Sequence, residues 1–322
     1  MSFGATFLRR PECFPAAPEG EPWGEHELTL TLPGGPYRFT GLSAAQRQSA
    51  LATFPGWAAA PDAAGTAGSA GSAGAPGAAG AAVAVAVRRR AAGDFLPVDV
   101  RGWDYALDFD CQPATLRLAG LGLLGRLDWR PALAAALWTP VDGGELFPGV
   151  FENFFRVLVA YRLLDLGGVI LHSAGVVKDG AAFLFLGRSG AGKTTVSRLS
   201  LARGAEVLSD DLNALCPDAA AGCLVHKLPF TGDLGERRGV RRPVPLAALL
   251  RLEQDTRDAL LPLSRAETLA CMLACAPFAN VDPCRRERLE AALLALLAGA
   301  APAAYALRFS LSGGFWSILT TK

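Results

Sequence analysis

The chain has 322 residues, of which 51% are hydrophobic, and its formal net charge at pH 7 is +1. This composition excludes a chain that is disordered throughout, and the near-neutral charge gives no electrostatic case for nucleic acid or an anionic membrane as the main partner. The length is enough for one large hydrophobic core or two smaller ones, so we expect two domains.

The absence of targeting signals and the cysteine usage both indicate a cytoplasmic protein. Met1 to Arg10 contain no basic segment followed by an apolar run, and no apolar run in the chain reaches the ~18 residues of a membrane span. The seven cysteines are odd in number and irregularly spaced, which disfavours a disulfide framework and is typical of a reducing compartment. We therefore expect a cytoplasmic protein with no membrane partner.

Residues 1–149 are predicted to form a β-rich region. Short segments of β-forming residues occur five times, and Pro33-Gly34-Gly35-Pro36 separates the first two, which is typical of a hairpin. These segments are residues 27–32, 37–39, 83–87, 105–109 and 115–118. Residues 58–82 are nearly all Ala, Gly, Ser and Pro, so we expect a flexible insertion there without a chemical role.

A second domain is predicted over residues 150–322, and its first element is a helix. Residues 150–166 carry large apolar side chains at helical spacing and are followed by two glycines. Residues 169–177 then have the pattern of a strand, a Lys-Asp-Gly turn follows, and residues 181–186 form a continuously apolar strand. We expect these two strands to be antiparallel neighbours.

The next segment, Gly187 to Thr194, fits the phosphate-binding pattern G-x-x-x-x-G-K-[ST]. It lies between the apolar strand and an amphipathic segment, residues 195–203, so a strand, a loop and a helix are predicted in the required order. The glycines let backbone N–H groups face phosphate oxygens, the lysine reaches the β- and γ-phosphates, and the threonine hydroxyl can ligate Mg²⁺. The residues predicted to hold the nucleotide are Gly187, Ser189, Gly190, Ala191, Gly192, Lys193, Thr194 and Thr195.

Two carboxylates and a histidine are predicted to lie near this loop. Asp210 and Asp211 end a strand-like segment, residues 205–209, so both should emerge at the carboxyl edge of the sheet, where nucleotides bind in α/β proteins. Adjacent strand residues point to opposite sides, so one carboxylate can hold a metal while the other accepts the proton of an attacking hydroxyl. His172 lies in the strand of residues 169–177, beside the loop, and a strand histidine taken alone is more often structural than catalytic.

The rest of the domain contains a polar loop and further core elements. The loop from His226 to Asp233, with the arginines that follow it, either reaches the transferred phosphate or is a solvated turn. The predicted core elements are a strand, residues 245–253, and two helices, residues 265–276 and 285–298. Cys271 and Cys275 lie four residues apart on the first of these helices, and we interpret them as buried structural thiols rather than a metal or redox pair.

In this order and spacing, the histidine, the loop and the paired aspartates resemble the HPr kinase/phosphorylase C-terminal domain family, and more closely its shorter HPr-kinase-like branch associated with peptide-modifying gene clusters. The resemblance covers about half of the chain. The segments that carry it are Leu171-His172-Ser173-Ala174-Gly175, Gly187 to Thr195, Leu201 to Ala205, Ser209-Asp210-Asp211, Pro229 to Gly232, the strand before Glu253-Gln254, Leu307-Arg308-Phe309 and Gly314-Phe315-Trp316. The family's Leu-Glu-Ile-Arg-Gly motif has no counterpart after the aspartates, which disfavours HPr as the acceptor and the reverse phosphorylase reaction.

The resemblance implies an α/β fold, a P-loop nucleotide-binding domain of HPr-kinase type with a mixed sheet flanked by helices, after the β-rich N-terminal region. It implies ATP-dependent phosphorylation of a serine hydroxyl on a peptide, a small protein or a small molecule, with Mg²⁺ as the metal. Lys193 is then expected on the phosphates, Thr194 on Mg²⁺, Asp210 as the base and Asp211 as the metal partner, with His172 as a further site residue. Longer members of the family assemble, so a homo-oligomer is a further expectation.

A second class of function is compatible with the same motif. A nucleotide-sensing module would use the loop to govern partner association without phosphoryl transfer. His172, Asp210 and Asp211 favour the enzyme, and product formation with a suitable hydroxyl distinguishes the two. The chain has no Asn-Lys-x-Asp motif, which disfavours guanine specificity.

Overall fold

The structure is a computed structural model that describes residues 20–59, 81–92, 95, 107–230, 232–235, 239–298 and 302–319. These residues divide into two compact units, one that ends at Arg162 and one that begins at Leu163. Most of the predicted insertion, residues 60–80, lies outside the described residues.

Within the described residues, the first unit is a mixed β-sheet with two helices. Its elements are β1 (Glu21–Pro22), β2 (His26–Leu32), β3 (Gly35–Leu42), α1 (Ala44–Thr53), β4 (Val83–Arg89), β5 (Asp108–Cys111), β6 (Thr115–Gly120), β7 (Leu123–Asp128), β8 (Ala134–Thr139) and α2 (Phe147–Asp165), whose last three residues belong to the second unit. The strand order is β2-β3-β4-β8-β7-β6-β5, with β1 paired to β4. The β2–β3 hairpin and the β5–β8 meander are antiparallel, whereas β4 pairs in parallel with β3 and β8.

Helix α2 packs on the first unit through aromatic side chains. Phe151 and Phe155 contact the ring of Phe39 at centroid distances of 4.7 and 5.2 Å, and Phe155 contacts Tyr37 at 5.1 Å. All four rings are fully buried, and burial of each contributes roughly 1.5–3 kcal/mol. The apolar residues at helical spacing that predict this helix are therefore the residues that bind it to the sheet.

The second unit is a mixed sheet with helices on both faces. Its elements are β9 (Val169–Lys178), β10 (Ala181–Leu186), α3 (Lys193–Leu201), β11 (Glu206–Ser209), β12 (Leu212–Asp218), β13 (Gly222–Lys227), β14 (Val244–Gln254), β15 (Ala259–Pro262), α4 (Arg265–Cys275), a 3₁₀ turn (Ala279–Val281), α5 (Arg286–Leu296), β16 (Ala303–Phe309) and α6 (Phe315–Leu319). The order is β10-β9-β12-β13-β14-β16-β15, with β11 on β9 and a further pairing of β10 with β14. Strands β9, β10, β14, β13 and β12 therefore close a ring of pairings.

Strand β10 lies between β9, its antiparallel neighbour, and β14, its parallel neighbour. Its side chains alternate between two cores. Leu184 and Leu186 pack in the core that contains Met272 of α4 and Leu293 of α5, whereas Phe185 packs in the core formed with α3 and α6. Burial on both faces explains the continuous apolar run of this strand.

The α/β class, with mixed sheets flanked by helices and a β-rich N-terminal region, is confirmed. The predicted hairpin of residues 27–39 corresponds to β2 and β3, and the predicted antiparallel pair before the loop corresponds to β9 and β10. Several boundaries differ, and α2, predicted over residues 150–166, extends from Phe147 to Asp165. Helix α3 begins at Lys193 rather than at residue 195, inside the glycine-rich motif, and β5 extends from Asp108 to Cys111 because that segment pairs with β6.

Candidate phosphate-binding site

The glycine-rich loop connects the carboxyl end of β10 to the first turn of α3. Gly190 and Gly192 have φ angles of +80° and +104°, in the left-handed region that side chains other than glycine rarely adopt. A Cβ at Gly192 would also lie 2.6 Å from the ring carbon Cζ of Phe309. Gly192 is thus required both by backbone conformation and by the close approach of an aromatic ring.

Lys193 is the first residue of α3, and its side chain folds back over the loop. Its Nζ atom donates to the carbonyl oxygens of Gly187 and Arg188 at 3.0 and 3.3 Å, and the residue is only 7% exposed. Burial lowers the pKa of the Lys193 ammonium from its ordinary value, and the negative charges of Cys275, Asp211 and Asp210 oppose this shift. The lysine therefore lies at the centre of the site, between the loop carbonyls and the carboxylates.

Thr194 and two carboxylates meet at the N-terminus of α3. The Thr194 hydroxyl donates to Oδ2 of Asp210 at 3.1 Å and lies 3.5 Å from Oδ2 of Asp233. A Cβ at Gly232 would lie 2.6 Å from Oδ1 of Asp210 and 3.0 Å from Cβ of Asp211, so the glycine lets the 232–235 segment pass close to both aspartates. Asp233 belongs to the loop that the sequence singled out, but its contact with Thr194 was not predicted.

Asp211 pairs with His172 on the neighbouring strand. The Nε2 atom of His172 lies 3.3 Å from Oδ1 of Asp211, and both side chains are mostly buried. The backbone N–H of Ser173 donates to the Asp211 carbonyl at 2.9 Å, and β12 pairs with β9 opposite His172. Strand pairing therefore joins residues that lie almost 40 positions apart in the chain.

A buried amide holds the backbone beside these residues. The Nδ2 atom of Asn213 donates to the Ser173 carbonyl at 2.7 Å and lies 3.4 Å from the Ser209 carbonyl. The Ser209 hydroxyl accepts from the N–H groups of Asp211 and Leu212 and donates to the Phe230 carbonyl. This network fixes the turn that carries both aspartates, and no motif in the sequence predicts it.

Gly175 provides the space for this amide. A Cβ at Gly175 would lie 2.3 Å from Oδ1 of Asn213, closer than two non-bonded atoms can approach. The glycine and the asparagine are therefore a matched pair on β9 and β12. A polar Asn within the otherwise apolar strand β12 is the sequence signal that could have found this contact.

The chain matches a protein-family model over residues 153–321, more than half of its length. That model describes the SynChlorMet cassette protein ScmC. The chain belongs to the ScmC family. No curated protein matches it. The ScmC region includes the loop, His172 and both aspartates, but the match begins inside α2 and leaves the first unit almost entirely outside.

The structure brings most of the predicted site residues of this ScmC-family member together. Thr194 contacts Asp210 directly, the charges of Asp210 and Asp211 act on Lys193, and Asp211 also contacts His172. Ser189 and Gly190 lie on the exposed part of the loop, and Thr195 lies in the first turn of α3. Lys227 is buried at the end of β13, Arg241 and Arg242 are exposed before β14, and Arg237 and Arg238 lie outside the described residues.

The cysteine pair contacts the loop. Cys271 hydrogen-bonds Cys275, and the N–H of Gly187 donates to the Cys275 sulfur. The hydrogen bond from Cys271, followed by the Gly187 N–H and the charge of Lys193, lowers the pKa of Cys275 below its ordinary value, and the same thiol–thiol contact raises the pKa of Cys271. The described residues contain no group of three or more His, Cys, Asp or Glu side chains arranged to hold a metal ion.

A cleft of about 930 Å³ opens beside the loop. Its walls are the loop residues 187–191, the end of β14 at residues 251–254, and one face of α4 from Glu267 to Cys275.

Within the described part of the chain, no helix is both long and apolar enough to cross a membrane.

Proposed function

We propose that this ScmC-family protein is an ATP-dependent phosphotransferase that phosphorylates a hydroxyl acceptor. The observation that carries the proposal is the contact of the Thr194 hydroxyl with Asp210 at the start of α3, directly after a glycine-rich loop. A helix N-terminus preceded by such a loop binds phosphate, and a neighbouring carboxylate is what phosphoryl transfer needs in addition.

The proposed type is an HPr-kinase-like P-loop serine kinase. The resemblance in the histidine, loop and aspartate motifs supports this type, and the mixed sheet with helices on both faces is compatible with it. The proposed acceptor is a serine on a peptide, a small protein or a small molecule. The cytoplasm is the proposed compartment because all six cysteines among the described residues are thiols.

The donor atoms at this site fit a nucleotide with Mg²⁺. One hydroxyl and the carboxylates of Asp210, Asp211 and Asp233 are oxygen ligands, which Mg²⁺ prefers. Mg²⁺ in phosphoryl-transfer sites usually takes only one or two protein carboxylates in addition to phosphate oxygens, so a complete protein cage is not needed. When bound, the metal ion would neutralise charge on the transferred phosphoryl group.

Each side chain then has a defined task. The Lys193 ammonium, now bonded to loop carbonyls, would turn to the phosphate oxygens, where its positive charge stabilises the transition state. One aspartate accepts the proton of the acceptor hydroxyl, and the other holds the metal. The histidine at position 172 orients the Asp211 carboxylate through its Nε2 contact.

The two aspartates divide these tasks in one of two ways. The resemblance makes Asp210 the base and Asp211 the metal partner. The 3.1 Å contact between Thr194 and Asp210 supports the reverse, because that threonine is the proposed Mg²⁺ ligand. Asp210→Asn and Asp211→Asn separate the two assignments. The base variant should lose kcat at any Mg²⁺ concentration, whereas the metal-partner variant should need more Mg²⁺ for half-maximal transfer.

The proposed function is tested by incubating the protein with γ-labelled ATP, Mg²⁺ and a panel of acceptors that contains serine peptides, HPr and free serine. Mass spectrometry then shows which acceptor has gained the labelled phosphate. Lys193→Ala should lower transfer at least ~10²-fold, because a preorganised charge at the phosphates is lost. Lys178→Ala is the matched control, since that lysine ends β9 and bonds the Arg203 carbonyl. Tight ATP binding with no transfer to any acceptor would instead favour a nucleotide-sensing module.

A further inference from the structure

The cleft beside the loop lies on the side away from the aspartates. It is lined by the end of β14, which pairs with one edge of β10. The other edge of β10 pairs with β9, which carries His172 and which pairs with both β11 and β12, the strands that flank the turn with the aspartates. Its lining includes loop residues 187–191 but not Thr194, Asp210 or Asp211.

We infer that this cleft binds the ribose and base of the nucleotide whose phosphates lie on the loop. This inference rests on the proposed function. It assigns the γ-phosphate to the side of the loop with the aspartates, and the ribose and base to the side with the cleft. The reacting end of a triphosphate has to lie near Thr194 and the aspartates. The opposite end must then leave the loop on its other side, where the cleft shares five loop residues.

The face of α4 in the cleft suits a flat ring. Ala270 and Ala274 are exposed small residues, and Cys271 lies between them on the same face. Small side chains at this spacing leave a shallow apolar wall, and the cleft follows about 12 Å of helix from Cys275 to Glu267. Largely apolar walls with a few placed polar groups are typical of small-molecule sites.

The opposite rim carries the polar groups that a ribose requires. Glu253 accepts from Arg251 at 2.6 Å and from Arg308 at 3.4 Å, and these contacts, that with Arg251 first, lower the pKa of its carboxyl. A fixed carboxylate is the group that holds ribose hydroxyls in dinucleotide sites. Gln254 donates to the Gly190 carbonyl at 2.9 Å, which ties this rim to the loop.

The acceptor fits this cleft less well. An acceptor hydroxyl has to come within hydrogen-bond reach of the catalytic base, and neither candidate aspartate lines the cleft.

The experiment compares the affinities of ATP and inorganic tripolyphosphate, both with Mg²⁺, by titration calorimetry. The wild type should bind ATP more tightly than tripolyphosphate. Ala274→Trp fills the cleft and should weaken the affinity for ATP by about tenfold or more. The affinity for tripolyphosphate should stay within about twofold of the wild-type value. The matched control is Ala295→Trp, on an exposed position of α5 outside the cleft.

Glu253→Gln tests the polar rim without adding bulk. It should reduce the preference of the protein for ATP over 2′,3′-dideoxy-ATP and leave tripolyphosphate binding unchanged. Unchanged ATP affinity in Ala274→Trp would overturn the inference. So would an equal loss of affinity for ATP and for tripolyphosphate in Ala274→Trp and in Glu253→Gln. If the wild type binds neither ligand, the proposed function fails as well. If it binds both with equal affinity, only the cleft assignment fails.

Discussion

Gly192 shows how much of the candidate site depends on a single residue. Its left-handed backbone conformation and its contact with Phe309 both exclude a side chain. The motif requires glycine at this position for phosphate binding, and the tertiary structure adds a second reason, since the ring of Phe309 comes from β16, more than a hundred residues later in the chain.

Gly192→Ala should therefore destabilise the protein as well as weaken nucleotide binding. Backbone strain of this kind costs roughly 1–3 kcal/mol, and the displaced Phe309 ring adds to it. Urea unfolding measures the loss. Ser189→Ala, on the exposed part of the same loop, should leave the midpoint unchanged, and an unaltered midpoint in Gly192→Ala would show that the loop relaxes without strain.

His226 is a second residue whose environment determines its chemistry. It is 4% exposed, its Nε2 atom has no hydrogen-bond partner among the described residues, and burial lowers its pKa to about 4. At a pH below 6.5, the ordinary pKa of histidine, this side chain binds a proton in the unfolded chain but not in the folded chain.

The free energy of unfolding should therefore fall as the pH is lowered from about 6.5 to about 4, by up to about 1.4 kcal/mol per pH unit from this group. Above this window the histidine is neutral in both states and contributes no pH dependence. Urea unfolding between pH 7 and pH 4 isolates the effect as the difference between wild type and His226→Gln. Parallel pH profiles for the two proteins would show that His226 is protonated in the fold.

Among the elements, β9, β11 and β12 together build the acidic side of the site. Strand β9 carries His172, and the turn between β11 and β12 carries both aspartates. The Asn213 amide joins β12 to β9 through the Ser173 carbonyl, and the Ser209 hydroxyl joins β11 to β12 by accepting from the Leu212 N–H. The position of the aspartates is thus a property of three strands and not of the Asp-Asp motif alone.

Asn213→Ala should lower kcat more than it raises the KM for ATP, because it acts through the backbone beside His172 and the aspartates. It should also cost about 1–3 kcal/mol of stability, since the buried carbonyl of Ser173 loses its donor. Transfer assays and urea unfolding of the same preparation measure both effects. A loss of stability with unchanged kcat would make Asn213 structural only.

Helix α4 places two thiols against the loop, and their pKa values move in opposite directions. We expect Cys275 to reach its half-maximal rate of reaction with iodoacetamide at a lower pH than an ordinary thiol, because its pKa is lowered and the thiolate is the nucleophile. Buried Cys216 and Cys223, whose pKa values are raised to about 12 and about 11, should stay unmodified.

Peptide mass spectrometry after alkylation at pH 6 to 9 locates the modified residue. Cys271→Ala removes the first contributor to the lowered pKa and should move the midpoint for Cys275 upward. A midpoint of 8.5 or above in the wild type would contradict the contacts described for Cys275.

At the scale of elements, the local sequence pattern predicted which helices and strands exist better than it predicted where they begin and end. The hairpin of β2 and β3, the pair of β9 and β10, and helices α2, α4 and α5 follow from periodicity and turn residues, because those signals lie within the segments themselves. The start of α3 at Lys193 and the position of β5 depend on neighbours distant in sequence, which periodicity does not report.

For the whole molecule, the division into two units has a counterpart in the family match. The ScmC region covers residues 153–321, nearly the same residues as the second unit, which begins at Leu163. The first unit has its own sheet and its own aromatic core on α2. The predicted domain boundary at residue 150 falls within that helix.

The sequence by itself determined the α/β class, the phosphate-loop motif and the candidate residues His172, Lys193, Asp210 and Asp211. Those features are local, since glycine spacing, apolar runs and paired carboxylates can each be recognised in a short segment. Only the tertiary structure decided which groups meet: Asp210 with Thr194, Asp211 with His172, Phe309 with Gly192, and Cys275 with the loop. The physical reason is that strand pairing and core packing join residues far apart in the chain, and no local pattern encodes those distances.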